Sequence, residues 1–227
     1  MTSEKEWLNV PASDQWMTGW DNYHKKMLEA PDEQLKFMAF IAHPVQVVGG
    51  HIMGKAKDMN ALEFGCGDGR YACFLAKIGC NVYAIDALKS AIELTEKRAK
   101  ALEVEDKLKV ELKDMDGWEI PKDKYDVIVA VQVLQYLFDR AIPRLKEIAE
   151  AVKPGGFVVY CGNILPHFDT DPPMQFIVKK ELKEIFKGWT FLSFGQDQRL
   201  LRPNDLRGYL WTVVQKPNGE EKEEKKE

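Results

Sequence analysis

The sequence predicts an α/β fold built on a mostly parallel sheet with helices on both faces. From residue 60 onward, apolar runs of strand length alternate with segments whose apolar residues repeat at helical spacing. This alternation is typical of parallel strands joined by right-handed helical crossovers. The last two apolar runs, WTFLSFGQDQRLL and RGYLWTVVQK, are separated only by RPNDL. They therefore predict an antiparallel hairpin at the end of the sheet.

The first strands and helices have clear patterns. ALEF is a short strand that leads through glycines into the helical segment RYACFLAKIG, and NVYAID is the second strand. In the next helix, one predicted face contains Ile92, Thr95, Ala99 and Leu102. KLKVELKD alternates strictly between apolar and charged residues, a pattern typical of a strand at or near a sheet edge.

The second half of the chain continues the alternation. YDVIVAVQVLQYL is almost unbroken in its apolar character, so it predicts a central strand covered on both faces. A helix follows, with Ile142, Leu145, Ala149 and Val152 on one face, and KPGG ends it. FVVYCG is a fifth strand, and QFIVKKELKEIFKG predicts a helix before the hairpin. The first sixty residues, rich in Trp, Met and Phe, predict helices and loops packed on the sheet.

Composition excludes several classes of function. A chain of 227 residues with 45% hydrophobic content predicts one domain with appendages. Its net charge of -4 disfavours binding to a phosphate backbone, so we expect no nucleic acid partner. Because there is no apolar run of the ~20 residues that span a bilayer and no signal-peptide pattern, we expect a cytoplasmic protein without a membrane partner.

Three of the four cysteines recur every seven residues, which raises the question of a metal site. Cys66 falls within the glycine turn, Cys73 on a helix and Cys80 before a strand, so we expect them to lie on separate elements. The fourth, Cys161, follows much later. With no C-x-x-C pair and no secretory signal, the sequence predicts reduced thiols and no metal.

The stretch LEFGCGDG differs from a dinucleotide-binding turn. The fingerprint G-x-G-x-x-G, counted from Gly65, requires a third glycine where this chain has Arg70. Here Glu63 is followed by glycines at alternate positions, Gly65, Gly67 and Gly69. Exposed backbone N–H groups beside a carboxylate suit a cofactor that carries an ammonium and a carboxylate rather than a pyrophosphate.

Asp86 lies 21 positions after Gly65, at the tip of the second strand. A carboxylate there can accept hydrogen bonds from both hydroxyls of a ribose. The alternatives are that Asp86 caps a helix and that the glycines simply form a turn. The two features together favour an adenosyl cofactor.

Four motifs in order resemble the class I S-adenosylmethionine-dependent methyltransferases, of the small-molecule type, over about residues 59–216. LEFGCGDG resembles the first motif, VYAID the second, KDMDGWEIPKDKYDVIVAVQVLQYL the third and fourth, and AVKPGG the turn before the fifth strand. The resemblance implies a Rossmann-like, seven-stranded, mostly parallel sheet of order 3-2-1-4-5-7-6 with the last strand antiparallel. It also implies a helical lid at 1–58 and a methyltransferase domain at 59–216. The tail at 217–227 is charged and poor in apolar residues, a composition that predicts disorder.

The resemblance implies that the cofactor is S-adenosyl-L-methionine, with S-adenosyl-L-homocysteine as product. Glu63 and the glycine turn would surround its methionine part, and Asp86 would bind the ribose. Asp114, twelve positions before Asp126, would contact the adenine amino group, with the Met115 N–H at a ring nitrogen. The complete predicted set is Glu63, Gly65, Cys66, Gly67, Gly69, Asp86, Ala87, Asp114, Met115 and Val131.

The methyl acceptor is predicted to be a small molecule. After the fourth strand, nucleic-acid and glutamine N-methylating members of the family carry Asn or Asp, then Pro-Pro and an aromatic residue, whereas this chain has VQVLQY. Candidates for the acceptor pocket are Tyr23, Gln132, Tyr136 and His167, followed by His24, Gln135, Cys161, Asn163 and Asp169. Each of them is also compatible with a packing or loop position. The use of a catalytic base stays open, because an oxygen or ammonium acceptor needs a proton removed whereas a thiolate or metalloid acceptor needs little such help.

Two other functions are compatible with these motifs. A non-catalytic S-adenosylmethionine-binding module would share all of them. An NAD(P)-dependent oxidoreductase on a related sheet is disfavoured by Arg70 and by the antiparallel terminal pair. The sequence predicts no oligomeric state.

Overall fold

A computed structural model describes residues 12–37, 41–164, 174–202 and 205–219. Its seven strands form one sheet of order β3-β2-β1-β4-β5-β7-β6. The strands are β1 (Asn60–Phe64), β2 (Asn81–Asp86), β3 (Leu108–Leu112), β4 (Tyr125–Val131), β5 (Val152–Ile164), β6 (Thr190–Arg202) and β7 (Asp205–Gln215).

The pairing within the sheet confirms the predicted topology. β1 pairs in parallel with β2 and β4, β2 with β3, and β4 with β5. β7 is antiparallel to both of its neighbours, β5 and β6. The hairpin connection is shorter than RPNDL, because β6 continues to Arg202 and β7 begins at Asp205.

Seven α-helices lie within the described residues. They are α1 (Ala12–Leu28), α2 (Asp32–Lys36), α3 (His43–Ile52), α4 (Arg70–Lys77), α5 (Lys89–Ala101), α6 (Ala141–Ala151) and α7 (Lys179–Ile185). Short 3-10 helices occur at Ala56–Asp58, Glu105–Lys107 and Leu134–Arg140. None of the helices within these described ranges is long and apolar enough to span a membrane.

The sheet separates two apolar layers, because successive side chains of a strand point to opposite faces. In β4, Val127, Val129 and Val131 belong to the layer that includes residues of α3, α4 and α5. Ile128 and Ala130 belong to the layer that includes residues of α6 and α7. β4 is thus covered on both faces as predicted, whereas no residue of the edge strand β3 is fully buried.

Three elements differ from the sequence prediction. The helix expected from residue 175 begins only at Lys179, where the Glu181 carboxylate accepts the Val178 N–H at 2.7 Å. β5 begins at Val152, so KPGG lies within the strand rather than before it. On α5, Ile92 is only partly buried, while the charged Arg98 is buried.

Candidate active site

A cavity of about 1190 Å³ lies at the carboxyl ends of β1, β2 and β4, beneath α1. Parallel sheets of this topology commonly bind ligands at this edge, near the point where strand order reverses. Nine of the ten residues predicted to bind the cofactor line the cavity: Glu63, Gly65, Cys66, Gly67, Asp86, Ala87, Asp114, Met115 and Val131. Gly69 does not line it.

The three glycines of the turn all have positive φ, a conformation that favours glycine. A Cβ at Gly65 would overlap the Val133 side chain, which follows β4. A Cβ at Gly69 would lie 2.8 Å from the Thr95 Cα, so Gly69 allows the start of α4 to approach α5. Gly69 therefore serves helix packing, as the third glycine of a nucleotide-binding turn commonly does.

Asp86 joins the end of β2 to the glycine turn. Its Oδ2 accepts the Gly67 N–H at 2.9 Å, and its Oδ1 accepts the Leu88 N–H at 3.0 Å. Burial raises the pKa of Asp86, and these two backbone hydrogen bonds oppose that increase. Each carboxylate oxygen keeps a further lone pair, so Asp86 can also accept hydrogen bonds from a ligand with two hydroxyls.

Glu63 is buried at the end of β1. Its Oε2 accepts the Ala72 N–H, in the first turn of α4, at 2.6 Å. Burial raises the pKa of Glu63 well above its usual range, and the bond from Ala72 opposes that increase only in part. Glu63 thus fixes α4 against β1, a structural contribution in addition to its predicted place at the cofactor.

A buried ion-pair network links the glycine turn to α5. Asp68 accepts hydrogen bonds from the Arg70 Nε at 2.9 Å and from the Arg98 Nη2 at 3.1 Å. Arg98, only 4% exposed, also donates to the Asp68 carbonyl and to the Leu35 carbonyl, each at 2.6 Å. Burial acts to raise the pKa of Asp68, but the two guanidinium groups hold it below its usual value. Sequence reasoning missed Arg98, whose only signal is its place on the buried face of α5.

The opposite rim contains the residues predicted to contact adenine. Asp114 is exposed, and its Oδ1 accepts the Asp116 N–H at 3.0 Å. The Met115 sulfur lies 3.4 Å from the position a Cβ would take at Gly65. The segment after β3 therefore lines the cavity, and its Met115 side chain reaches the glycine turn.

Four aromatic rings form what we call the aromatic wall: Trp16, Trp20 and Tyr23 of α1, and Tyr136 from the segment after β4. The Trp16 and Tyr136 centroids are 5.0 Å apart, those of Trp20 and Tyr136 6.1 Å, and those of Trp20 and Tyr23 5.7 Å. Two predicted acceptor residues, Tyr23 and Tyr136, therefore lie in one wall. Neither tryptophan was among the predicted site residues.

His24 lies between the wall and the glycine turn. Its ring stacks on Trp20 with centroids 6.1 Å apart, and its Nε2 is 3.6 Å from the position of a Cβ at Gly67. The pKa of His24 is lowered by burial, against the opposing effect of Asp86. The imidazole is therefore mainly neutral at neutral pH.

The other predicted acceptor residues lie at the ends of β4 and β5. Gln132 lines the cavity with a φ of 58°, and its N–H donates to the Cys161 carbonyl at 2.7 Å. Gln135 and Asn163 are buried outside the cavity lining, as is Cys161. His167 and Asp169 fall outside the described residues.

All four cysteines are buried free thiols. Cys66 lies in the turn itself, where its sulfur accepts a hydrogen bond from the Thr95 hydroxyl at 3.3 Å. Within the part of the chain that the structure describes, no cluster of His, Cys, Asp or Glu could hold a metal ion.

α1 is attached to the domain through α5. The Ser90 hydroxyl and the Asp21 carboxylate are 2.6 Å apart. The Lys97 ammonium donates to the carbonyls of Leu28 and Ala30, at 3.0 and 2.7 Å. Because these contacts concentrate at the second half of α1 and just beyond it, that end of the helix is held beside the cavity.

Comparison with known proteins points to one family. Residues 61–156 match the model of the methyltransferase domain family. The probable S-adenosyl-L-methionine-dependent methyltransferase TehB of Haemophilus influenzae is 26% identical over 168 residues, 71% of this chain and 57% of that protein. The ubiquinone biosynthesis O-methyltransferase of Hydrogenovibrio crunogenus is 34% identical over 100 residues, 44% of this chain and 40% of that protein. The chain spans about half the length of the curated relatives it matches.

Solved structures share the fold. The crystal structure of TehB from Haemophilus influenzae has a TM-score of 0.64 at 22% identity, covering 80% of this chain and 64% of that one. The N-methyltransferase NodS from Bradyrhizobium japonicum, in complex with S-adenosyl-L-homocysteine, has a TM-score of 0.61 at 18% identity, covering 85% and 91%. The domain matched at residues 61–156, these relatives and the strand order are those of class I S-adenosylmethionine-dependent methyltransferases, to which this chain is similar.

Proposed function

We propose that this protein transfers the methyl group of S-adenosylmethionine to a small-molecule acceptor in the cytoplasm. The observation that carries the proposal is Asp86, whose carboxylate lies at the end of β2 and accepts the Gly67 N–H of the glycine turn. A carboxylate in this position provides paired acceptors for the two hydroxyls of a ribose. The four free cysteine thiols support a reducing compartment.

The residues around the cavity fit the proposed cofactor. Asp86 would bind the ribose, while Asp114 and the Met115 N–H would hold the adenine at the opposite rim. The backbone from Gly65 to Gly67 would follow the methionine part. The remaining predicted contacts are Glu63, Cys66, Ala87 and Val131, all of which line the same cavity. Gly69 would act through the packing of α4 on α5.

The chemistry that the cofactor supplies when bound is a methyl group on a positively charged sulfur, which is reactive toward nucleophiles. The protein's own contribution is to hold the acceptor in line and at close range. α1 and the segment after β4 would cover the cavity and exclude water, with Tyr23, Gln132 and Tyr136 facing the acceptor. His167 stays a further predicted acceptor residue.

The relatives support the class of reaction more strongly than the acceptor. TehB is named as a probable S-adenosyl-L-methionine-dependent methyltransferase, the ubiquinone biosynthesis enzyme as an O-methyltransferase and NodS as an N-methyltransferase. Because identity to the curated relatives is low and coverage partial, their acceptors do not transfer directly to this chain.

Calorimetric titration with S-adenosylhomocysteine and, in parallel, with NADH tests the proposal. We expect binding of S-adenosylhomocysteine and none of NADH; the reverse result would establish the oxidoreductase alternative. An assay for S-adenosylhomocysteine release should then be run over amines, phenols, carboxylates, thiols and metalloid oxyanions. Binding without turnover of any acceptor in this panel would favour the non-catalytic module.

A further inference from the structure

The charges around the cavity restrict what the acceptor can be. Three basic side chains line it, and each is already paired with a carboxylate: Arg70 with Asp68, Lys113 with Glu111, and Arg140 with Asp116. Among the described lining residues, each cation therefore already has a carboxylate partner, which weakens its attraction for an anionic acceptor. A buried anion without such a partner would carry a large desolvation cost.

The lining carries a surplus of negative charge. Burial favours the neutral, protonated form of Glu63, which leaves five acidic side chains against the three basic ones: Asp68, Asp86, Asp114, Asp116 and Asp139. S-adenosylmethionine brings a single net positive charge, which offsets only part of this surplus. The negative electrostatic potential that remains in the cavity favours a positively charged ligand over a phosphate, a carboxylate or a metalloid oxyanion.

The aromatic wall is the second feature that restricts what the acceptor can be. Trp20 is 37% exposed and Tyr23 39%, and both line the cavity together with Met17, which is 43% exposed. Apolar surface concentrated on one face of a helix in this way marks a ligand or partner contact. Aromatic faces also attract organic cations, most strongly when the cation is withdrawn from water.

We propose that the acceptor is an organic amine carried on an apolar or aromatic group. This inference rests on the proposed methyltransferase function and names its acceptor class. Phenols and thiols fit less well, because their reactive forms are anions that the acidic lining disfavours. An amine binds as the ammonium and reacts as the neutral base, so its reactive form carries no negative charge.

The ammonium form of the acceptor must lose a proton before the methyl group is transferred. The ammonium releases one proton to water at the open rim, where Asp139 is exposed. The nitrogen lone pair then forms the N–C bond to the methyl carbon while the electron pair of the C–S bond goes to sulfur. The products are the N-methylammonium and S-adenosylhomocysteine. The methylated product keeps its positive charge, which the wall and the acidic lining continue to stabilise.

Three probes of similar shape and different charge test this inference: phenethylamine, 2-phenylethanol and phenylacetate. Each is titrated by calorimetry into the complex of the protein with S-adenosylhomocysteine. We expect phenethylamine to bind at least about tenfold more tightly than the other two. Equal or tighter binding of either control, or no binding of phenethylamine, would overturn the inference. Failure of S-adenosylhomocysteine itself to bind would instead contradict the proposed function.

A variant at the wall separates charge recognition from apolar contact. Trp20→Leu keeps apolar volume but removes the ring face, so phenethylamine affinity should fall by about 5- to 30-fold, while 2-phenylethanol affinity falls far less. Trp20→Phe should restore part of the phenethylamine affinity. If both probes weaken equally in Trp20→Leu, the wall does not select for charge and the inference is wrong.

Discussion

The two walls of the cavity are built from different interactions. At the glycine turn, backbone N–H groups, buried carboxylates and the Arg98 guanidinium form a connected network with little exposure. On the aromatic wall, rings contact one another at 5.0–6.1 Å, and Trp20 and Tyr23 keep more than a third of their surface exposed. One wall is fixed by directional bonds, and the other by apolar contacts that tolerate adjustment.

This difference suggests that the two walls have separate roles, the glycine turn in cofactor binding and the aromatic wall in acceptor binding. Directional bonds hold a turn in one geometry, which suits a ligand that never changes. Ring contacts are less directional, so aromatic residues can be exchanged to admit another acceptor while the turn stays intact. We therefore expect substitutions at the turn to alter stability or cofactor affinity, and substitutions at the wall to alter acceptor binding with small effects on folding.

The largest effect is expected at Asp68. Asp68→Ala removes the carboxylate that pairs with buried Arg98, so the free energy of unfolding should fall by about 3–5 kcal/mol. Asp116→Ala is the matched control, because its partner Arg140 is 40% exposed, and it should cost less than about 1 kcal/mol. Urea denaturation followed by circular dichroism measures both. Equal losses would contradict the distinction between buried and exposed pairs.

A substitution at Gly69 tests how tightly the glycine turn is packed. Gly69→Ala combines a positive φ with a Cβ that would lie 2.8 Å from Thr95. Gly54→Ala is the control, since Gly54 has a φ of 88° and open space around it. We expect Gly69→Ala to lower the free energy of unfolding by at least about 1 kcal/mol more than Gly54→Ala. Thermal unfolding of the two variants should show the difference, and similar melting temperatures would count against the packing role.

At Asp86 the effect should appear in affinity. Asp86→Ala should weaken S-adenosylhomocysteine binding by about 1–3 kcal/mol, or up to a hundredfold, because hydrogen bonds to a charged acceptor are lost. Asp126→Ala is a suitable control, because Asp126 lies at the amino end of the sheet and pairs with Lys153. Calorimetry should find the control unchanged. Unchanged affinity in Asp86→Ala would contradict the ribose assignment.

Glu63 should produce a pH-dependent effect on stability. Because burial raises the folded-state pKa of this acid above its ordinary value of 4.5, folding favours the protonated form. The free energy of unfolding should therefore fall as the pH rises above about 4.5, by at most about 1.4 kcal/mol per pH unit. Glu63→Gln keeps an acceptor for the Ala72 N–H and removes the titration, so its stability should depend less on pH over that interval. Parallel curves for the two proteins would refute this role.

The smallest effect on folding should come from the aromatic wall. Tyr23→Leu keeps an apolar side chain at a position that is 39% exposed, so the free energy of unfolding should change by less than about 1 kcal/mol. Urea denaturation of this variant beside Asp68→Ala gives the direct contrast between the walls. A loss as large as that of Asp68→Ala would show that the wall is as rigidly determined as the turn.

The fold was predictable because its signals are local. Each strand has its own apolar pattern, and the alternating polarity of β3 indicated an edge position that the sheet confirms. The positions of the predicted cofactor contacts also depend on short spacings, from Glu63 through the glycines to Asp86. The start of α7 was misjudged because an apolar run, FIV, looks helical, whereas Glu181 begins the helix later by accepting the Val178 N–H.

The rest of the cavity could not be read from the sequence, since it depends on contacts between distant residues. Arg98 reaches Asp68 and Leu35 across two other elements, and nothing in its helical segment indicates these partners. Trp16 and Tyr136 meet only because α1 crosses the end of β4. The spacing of Trp16, Trp20 and Tyr23 is helical, but it does not show that this helix face lies beside Tyr136, so the tryptophans of the wall were missed.

The reactivity of the Cys66 thiol depends on how often the glycine turn opens. This thiol is buried in the cavity lining, and burial raises its pKa well above the usual range, so the nucleophilic thiolate is almost absent while the turn is closed. Alkylation of Cys66 by a reagent in solution must then wait for a local opening of the turn, and its rate measures how often that opening occurs. A ligand bound at the turn would slow this reaction, so the alkylation rate of Cys66 would report occupancy of the cavity.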